Sequence, residues 1–219
     1  MEAVGALPPG ALLALLNGAF ATLILALCAT VLATLIGVVA TVTAQVSSPL
    51  RWLVALYVSF IRGTPLLIQI LVIYYMLPAI GLDVPPFGAG VIALGLNGGA
   101  HIREILRGAL TSVPSGQVEA ARALALPRVW IWLRIILPQL FAIVLPPLTV
   151  EFSALLKGSA LISVVGYVEL TRQAQYLLST TATPYRIWIM TGLLYLVMCL
   201  GLAALARLLQ QATLRRGSV

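Results

Sequence analysis

Four positions in one apolar stretch of this chain, Asn97, His101, Glu104 and Gly108, are spaced four, three and four residues apart and would stack on a single helical face. Such a stripe can line a path for a polar solute. Alternatively, His101 and Glu104 satisfy each other and seal the helix against a neighbour. Arg103 lies one residue from Glu104, about 100° around the helix, so it need not share the stripe and can reach toward an interface. Three further polar residues stand in apolar surroundings. Gln69 is a lone amide that could bond a neighbouring helix or contact a solute. Glu151 and Lys157, six residues and about 120° apart on a regular helix, are poor direct partners, and Lys157 can snorkel to an interface.

Catalysis fits these residues badly. The single histidine has no Ser or Cys nucleophile at a recognisable spacing, and no glycine-rich phosphate loop is present. Cys28 and Cys199 sit inside apolar runs as small hydrophobes, with no metal-type spacing. The chain is therefore read as no enzyme, with no catalytic residue, no metal and no cofactor of its own.

The elements that hold these residues are set by composition. The 219 residues are 61% hydrophobic and 9% charged, with a mean hydropathy of +1.08, far from the balance of soluble domains. Lipid is the expected surrounding. A helix needs about 20 apolar residues to cross the hydrocarbon layer, so one membrane domain over residues 1–219 is expected. The net charge of +7 does not indicate nucleic acid, because the arginines are scattered among apolar runs and line no aromatic-studded face.

The segment from Ala11 to Ala44 has no charge and reads as a first span, with Ala29, Ala33 and Gly37 recurring every four positions for close helix packing. After the break at Ser47–Pro49, Arg51 and Arg62 bracket a stretch that suits an interfacial helix. Thr64 and Pro65 then read as the N-cap and first turn of a second span reaching Ile80. "GLDVPPFG" is a turn, and span three follows to about Leu106. Arg107 to Arg134 is a polar excursion. Leu133 to Leu156 is apolar again, and Pro138, Pro146 and Pro147 predict a kinked or broken span four. Tyr167 to Thr183 is polar and reads as the far surface, and Ile187 to Leu209 as the last span. No internal repeat is evident.

Five spans place the termini on opposite sides. Arg51, Arg107, Arg122, Arg128, Arg134, Arg207, Arg215 and Arg216 gather on one side, against Glu2, Asp83 and Glu169 on the other, so the N-terminus is expected outside and the C-terminus in the cytoplasm. Within the cytoplasmic excursion, Ser115 can cap a short helix whose first turns carry Gln117 and Glu119, and Ala120, Ala121, Ala123 and Ala125 make it slim enough to enter a partner's groove.

These residues resemble the permease signature of bacterial ATP-binding-cassette importers, E-A-A, three residues, G, nine residues, I-x-L-P. Glu119, Ala120 and Ala121 match, as do Ile135, Leu137 and Pro138, and the spacing between them is complete. Ala125 stands where the motif has glycine, at a cost on the order of 1 kcal/mol if its φ is positive. The stretches "RGTPLLIQ", "RGALTSVPSGQVEAARAL", "ILPQ", "PPL" and "LLKGSALISVVGYVELT" are similar to the polar amino-acid permeases of the histidine, glutamine, glutamate and arginine type.

The resemblance implies an all-α membrane protein with about five transmembrane helices in the type I importer permease fold, in the bacterial cytoplasmic (inner) membrane. It implies a coupling helix and turn over residues 115–128, with Gln117, Glu119, Ala120, Ala121, Arg122 and Ala125 meeting the ATPases. It implies as partners two ATPase subunits, which bind the ATP and Mg, a second permease subunit that is identical or homologous, an extracytoplasmic substrate-binding protein, membrane lipid and an amino acid. The substrate pathway would draw on Gln69, Asn97, His101, Arg103, Glu104, Glu151 and Lys157. Three departures fall near it. His101-Ile102-Arg103-Glu104 replaces a frequent Tyr-x-Ala-Glu, Val150 replaces an Asn, and Gly158-Ser159-Ala160 replaces Asp-Thr-Ser after Lys157. An ion-coupled carrier or channel acting without ATPases is the alternative reading.

Overall fold

The computed structural model describes residues 9–179 and 184–216, with side chains described as far as Gln211. Glu2, the end of the far-surface segment at Thr183, and the side chains of Arg215 and Arg216 lie outside that description. Every regular element among the described residues is helical, with no strand among them.

Helix α1 (Ala11–Val46) runs for 36 residues, about 54 Å at 1.5 Å per residue, which exceeds the bilayer core and requires tilt or overhang. Its hydroxyls are satisfied within the helix. Thr22 donates to the Gly18 carbonyl at 3.0 Å, Thr34 to Thr30 at 2.8 Å and Thr41 to Gly37 at 2.7 Å, as an apolar surrounding demands. Ala29, Ala33 and Gly37 are all buried. They face α4 (Pro86–Thr111), whose own small residues allow close approach. A Cβ at Gly37 would sit 2.6 Å from Ile102 Cγ2, so a larger residue there forces the helices apart.

Helices α2 (Ser48–Gly63) and α3 (Leu66–Met76) form a pair bent by 106°. α2 buries Val54, Val58 and Ile61 on one face and exposes Trp52, Leu56 and Phe60 on the other. A separate interfacial helix followed by an independent span was expected; the two instead share one sharp break. The predicted Thr64 cap is not formed. Pro65 occupies the N-cap of α3, and the Thr64 hydroxyl turns back to the Phe60 carbonyl at 2.9 Å because the end of α2 supplies an acceptor.

After α4 come α5 (Ser115–Ala123), the single turn α6 (Arg128–Ile131), a π-turn over Trp132–Ile136 and α7 (Leu137–Gly158). The sequence places irregularity at Pro138, Pro146 and Pro147. The helix carries Pro146 and Pro147 within it, and the π-turn lies just ahead of Pro138, whose missing N–H interrupts the ladder there. A 3-10 turn over Ser159–Val165 leads to α8 (Leu170–Leu178) and α9 (Pro184–Arg216).

Among the described residues three stretches are long and apolar enough to cross a membrane, Ala11–Val46, Arg128–Val165 and Pro184–Gln211, and the bent α2–α3 pair is a fourth when counted as one span. α4, expected as span three, has 26 residues and thus a length of about 39 Å, but Asn97, His101, Arg103 and Glu104 lower its hydropathy. It can carry them because it is the central helix. Ala93, Leu94 and Ile102 pack there with Leu25, Ala29 and Ala33 of α1, Ile70 of α3 and Leu155 of α7. α9 shows the opposite pattern, exposing Leu193, Val197, Leu200 and Leu208 as a lipid-facing helix would.

Candidate functional site

Five polar residues form two groups on and beside α4, Gln69 with Asn97, and Arg103 with Glu104 and Arg107. In the first, the Gln69 amide is spent on the break between α2 and α3. Its Nε2 donates to the Ile61 carbonyl at 2.8 Å, the Thr64 carbonyl at 3.1 Å and the Thr64 hydroxyl at 2.9 Å. Its Oε1 accepts from Asn97 Nδ2 at 3.1 Å. Gln69 is buried, so the amide closes carbonyls that the bend leaves open and ties the bend to α4.

The second group is charged. Glu104 accepts from Arg103 through Nη1 and from Arg107 through Nε at 3.0 Å and Nη2 at 2.8 Å. His101 is half-buried and is not the partner of Glu104, which bonds the arginines on either side. A cleft of about 570 Å³ between α2 and α4 is lined by Ser59, Arg62, Arg103, Glu104 and Arg107. Asn97 and Gln69 are thus brought together, as are Arg103, Glu104 and Arg107. Glu151 and Lys157 join neither group: Glu151 is half-buried on α7, and Lys157 is exposed at its end. No group of three metal-ligating side chains occurs among the described residues.

The polar excursion folds as a short exposed helix. Along α5 only Ala121 is buried, while Gln117, Glu119, Ala120 and Arg122 face outward. Pro114 holds the N-cap position and Ser115 makes no cap bond, since the residue before the helical turn is already fixed by the proline ring. The helix closes on Ala125, at φ 54°. Leu126 N–H bonds the Ala121 carbonyl at 3.1 Å and Ala125 N–H bonds Arg122 at 2.9 Å, the paired bonds of a Schellman turn. Alanine therefore occupies a left-handed position that glycine adopts without steric cost. Ala125→Gly is expected to stabilise the protein by about 1 kcal/mol, read as a higher thermal midpoint in detergent; a lowered midpoint would contradict the assignment. One side-chain bond joins this helix to a long one, from Gln139 Nε2 of α7 to Gln117 Oε1 at 2.7 Å.

The sequence reading missed a buried knot at Glu169. This carboxylate is fully buried and caps α8, accepting from Thr171 N at 2.8 Å and Arg172 N at 2.8 Å. Tyr195 of α9 donates to it at 2.8 Å, and Leu170 N donates to Thr22 of α1 at 3.1 Å. Burial pushes the Glu169 carboxyl up, and the bonds to its charged form oppose that shift without overcoming it. The available signal was an acid just before an amphipathic run together with a tyrosine in an otherwise apolar span.

Residues 33–215 match the family described as "Binding-protein-dependent transport system inner membrane component". The probable glutamine ABC transporter permease protein GlnM of Bacillus subtilis is 38% identical over 189 residues, covering 86% of this chain and 88% of that protein. The L-cystine transport system permease protein TcyB of the same organism is 45% identical over 127 residues, covering 58% of this chain and 54% of that protein. A solved amino acid ABC transporter is 36% identical, with TM-score 0.84 over 91% of this chain and 94% of that one. The MetNI methionine ABC transporter, at 20% identity and TM-score 0.78 over 94% and 98% of the two chains, shares the fold.

Proposed function

The chain belongs to the binding-protein-dependent transport system inner membrane components, and on that premise we propose that it is the permease subunit of an ATP-driven amino-acid importer. The relatives named for glutamine and cystine support the substrate class. In this reading α1, the α2–α3 pair, α4, the α6–α7 stretch and α9 make five crossings, with the N-terminus outside and the C-terminus in the cytoplasm. Two copies, or this chain and a homologue, enclose a pathway that opens alternately to the two sides, and an extracytoplasmic binding protein delivers the amino acid. Asn97, His101, Arg103 and Glu104 on α4, with Gln69, Glu151 and Lys157, are the side chains proposed to face or shape that pathway.

The observation that carries the reading is α5. It is a short, outward-facing helix between two central helices, its Glu119 exposed and its ends fixed by the Ala125 turn and the Gln139 bond. A docked ATPase moving such a helix would displace α4 and α7 together. Two ATPases, each binding ATP and Mg, would grip α5 and its mate in the second permease subunit.

Affinity purification of the tagged chain from native membranes tests this. The expected result is an ATPase in equal proportion to the permease copies, lost when Glu119→Arg is combined with Leu124→Asp. Purification without an ATPase, together with solute movement on an ion gradient, would replace this reading with that of a carrier.

A further inference from the structure

Two adjoining cavities between α1, α4 and the start of α7 differ sharply in character. The first, of about 450 Å³, is lined by Arg51, Arg103 and Arg107 and by no carboxylate. The second, of about 370 Å³, is an apolar slot lined by Val38, Phe141, Val144, Leu145 and Leu148. They share Thr41, Gln45, Leu110 and Trp132, so a single molecule can occupy both. Their volumes fall within the range of roughly 300–1,000 Å³ for ligand sites.

The charge in the first cavity is unbalanced. Among the described residues Glu104 is the one acid paired with these arginines, and it serves Arg103 and Arg107 together, while Arg51 donates to the Ala44 carbonyl at 3.3 Å. Arg103 is 9% exposed, and its Nε has no partner, a buried donor that costs stability unless something accepts from it. The cationic cavity lies at the ends of α1 and α4 where the chain leaves its apolar stretch, and the slot runs from there along α7.

We propose that this composite site holds one anionic phospholipid, its phosphate against Arg51, Arg103 and Arg107 and one acyl chain in the slot toward Leu148. Guanidinium groups match phosphate geometry, and a free phosphate would leave the slot unfilled. Val118 of α5 also lines the cationic cavity, so the headgroup lies against the inner side of that helix. The proposal rests on the membrane setting and not on the transport reading.

The test uses the permease purified with its partners in detergent, titrated with phosphatidylglycerol or phosphatidylcholine of identical chains, with bound lipid read by native mass spectrometry. Phosphatidylglycerol is expected to be retained, one per copy, in preference to phosphatidylcholine. Arg51→Gln, at an exposed position, is expected to weaken that retention about five-fold, and Leu145→Trp is expected to displace the lipid by filling the slot. Equal retention of the two lipids would overturn the proposal, as would phosphatidylglycerol retention unchanged in Arg51→Gln. Inorganic phosphate displacing phosphatidylglycerol at equal concentration would also overturn it, in favour of a simple anion pocket.

Discussion

Glu119→Gln is expected to cut ATP-driven uptake on the order of 30-fold or more while the protein folds and inserts normally. The two halves of that result have separate physical causes. Glu119 is exposed on α5 and has no hydrogen-bond or ion-pair partner among the described residues, so its loss should change stability by no more than about 0.5 kcal/mol. A carboxylate that becomes covered by a docked partner is in a different position. Removing one member of a covered charge pair typically costs roughly 2–5 kcal/mol, because the other member is left desolvated and alone. Uptake in reconstituted vesicles measures the loss, and an unchanged thermal midpoint shows that the fold is intact. Undiminished uptake would remove Glu119 from the coupling surface.

Glu169→Ala carries the largest expected penalty in stability. The carboxylate satisfies two backbone N–H groups at the start of α8 and the Tyr195 hydroxyl. Alanine leaves two part-buried backbone N–H groups without their acceptor, each at about 1–3 kcal/mol, while the Tyr195 hydroxyl keeps the Thr171 hydroxyl at 2.9 Å, so a total of about 2 kcal/mol or more is expected. α8 packs between α1 and α9 through Leu170, Ala174, Leu15 and Ile187, and the damage should therefore reach three helices. A steep fall in thermal midpoint and in membrane yield is the expected observation. Glu169→Gln, which keeps one acceptor oxygen, should fall between the two. A wild-type midpoint for Glu169→Ala would show that the knot contributes nothing.

The parts of the fold legible in the sequence were those governed by local rules. The charge-free stretch from Ala11 became α1, and Ala29, Ala33 and Gly37 lie on its buried side because small residues at helical spacing have one evident use. The motif at Ala125 pointed to a glycine-type turn, and the backbone there is left-handed. What could not be read depends on partners distant in the chain. Nothing local says that Gln69 will bond Asn97, 28 residues away, or that Thr22 will accept from Leu170, 148 residues away. Spacing on α4 suggested a solute-lining stripe and left a His101–Glu104 pair as the alternative, yet arginines one and three residues away hold Glu104, because a guanidinium carries several donors and stays charged when partly buried. Of the three prolines that suggested a kinked or broken span, Pro138 does follow an irregular turn, while Pro146 and Pro147 sit within α7.

The family membership leaves one question at the centre, whether this chain moves an amino acid only when ATPases drive it. The direct measurement is uptake of a labelled amino acid into vesicles holding the permease, its ATPases and the binding protein, with ATP supplied on the ATPase side. Accumulation that requires hydrolysable ATP and ceases with a non-hydrolysable analogue is the predicted result. Accumulation on a proton or sodium gradient by vesicles without the ATPases would contradict the account.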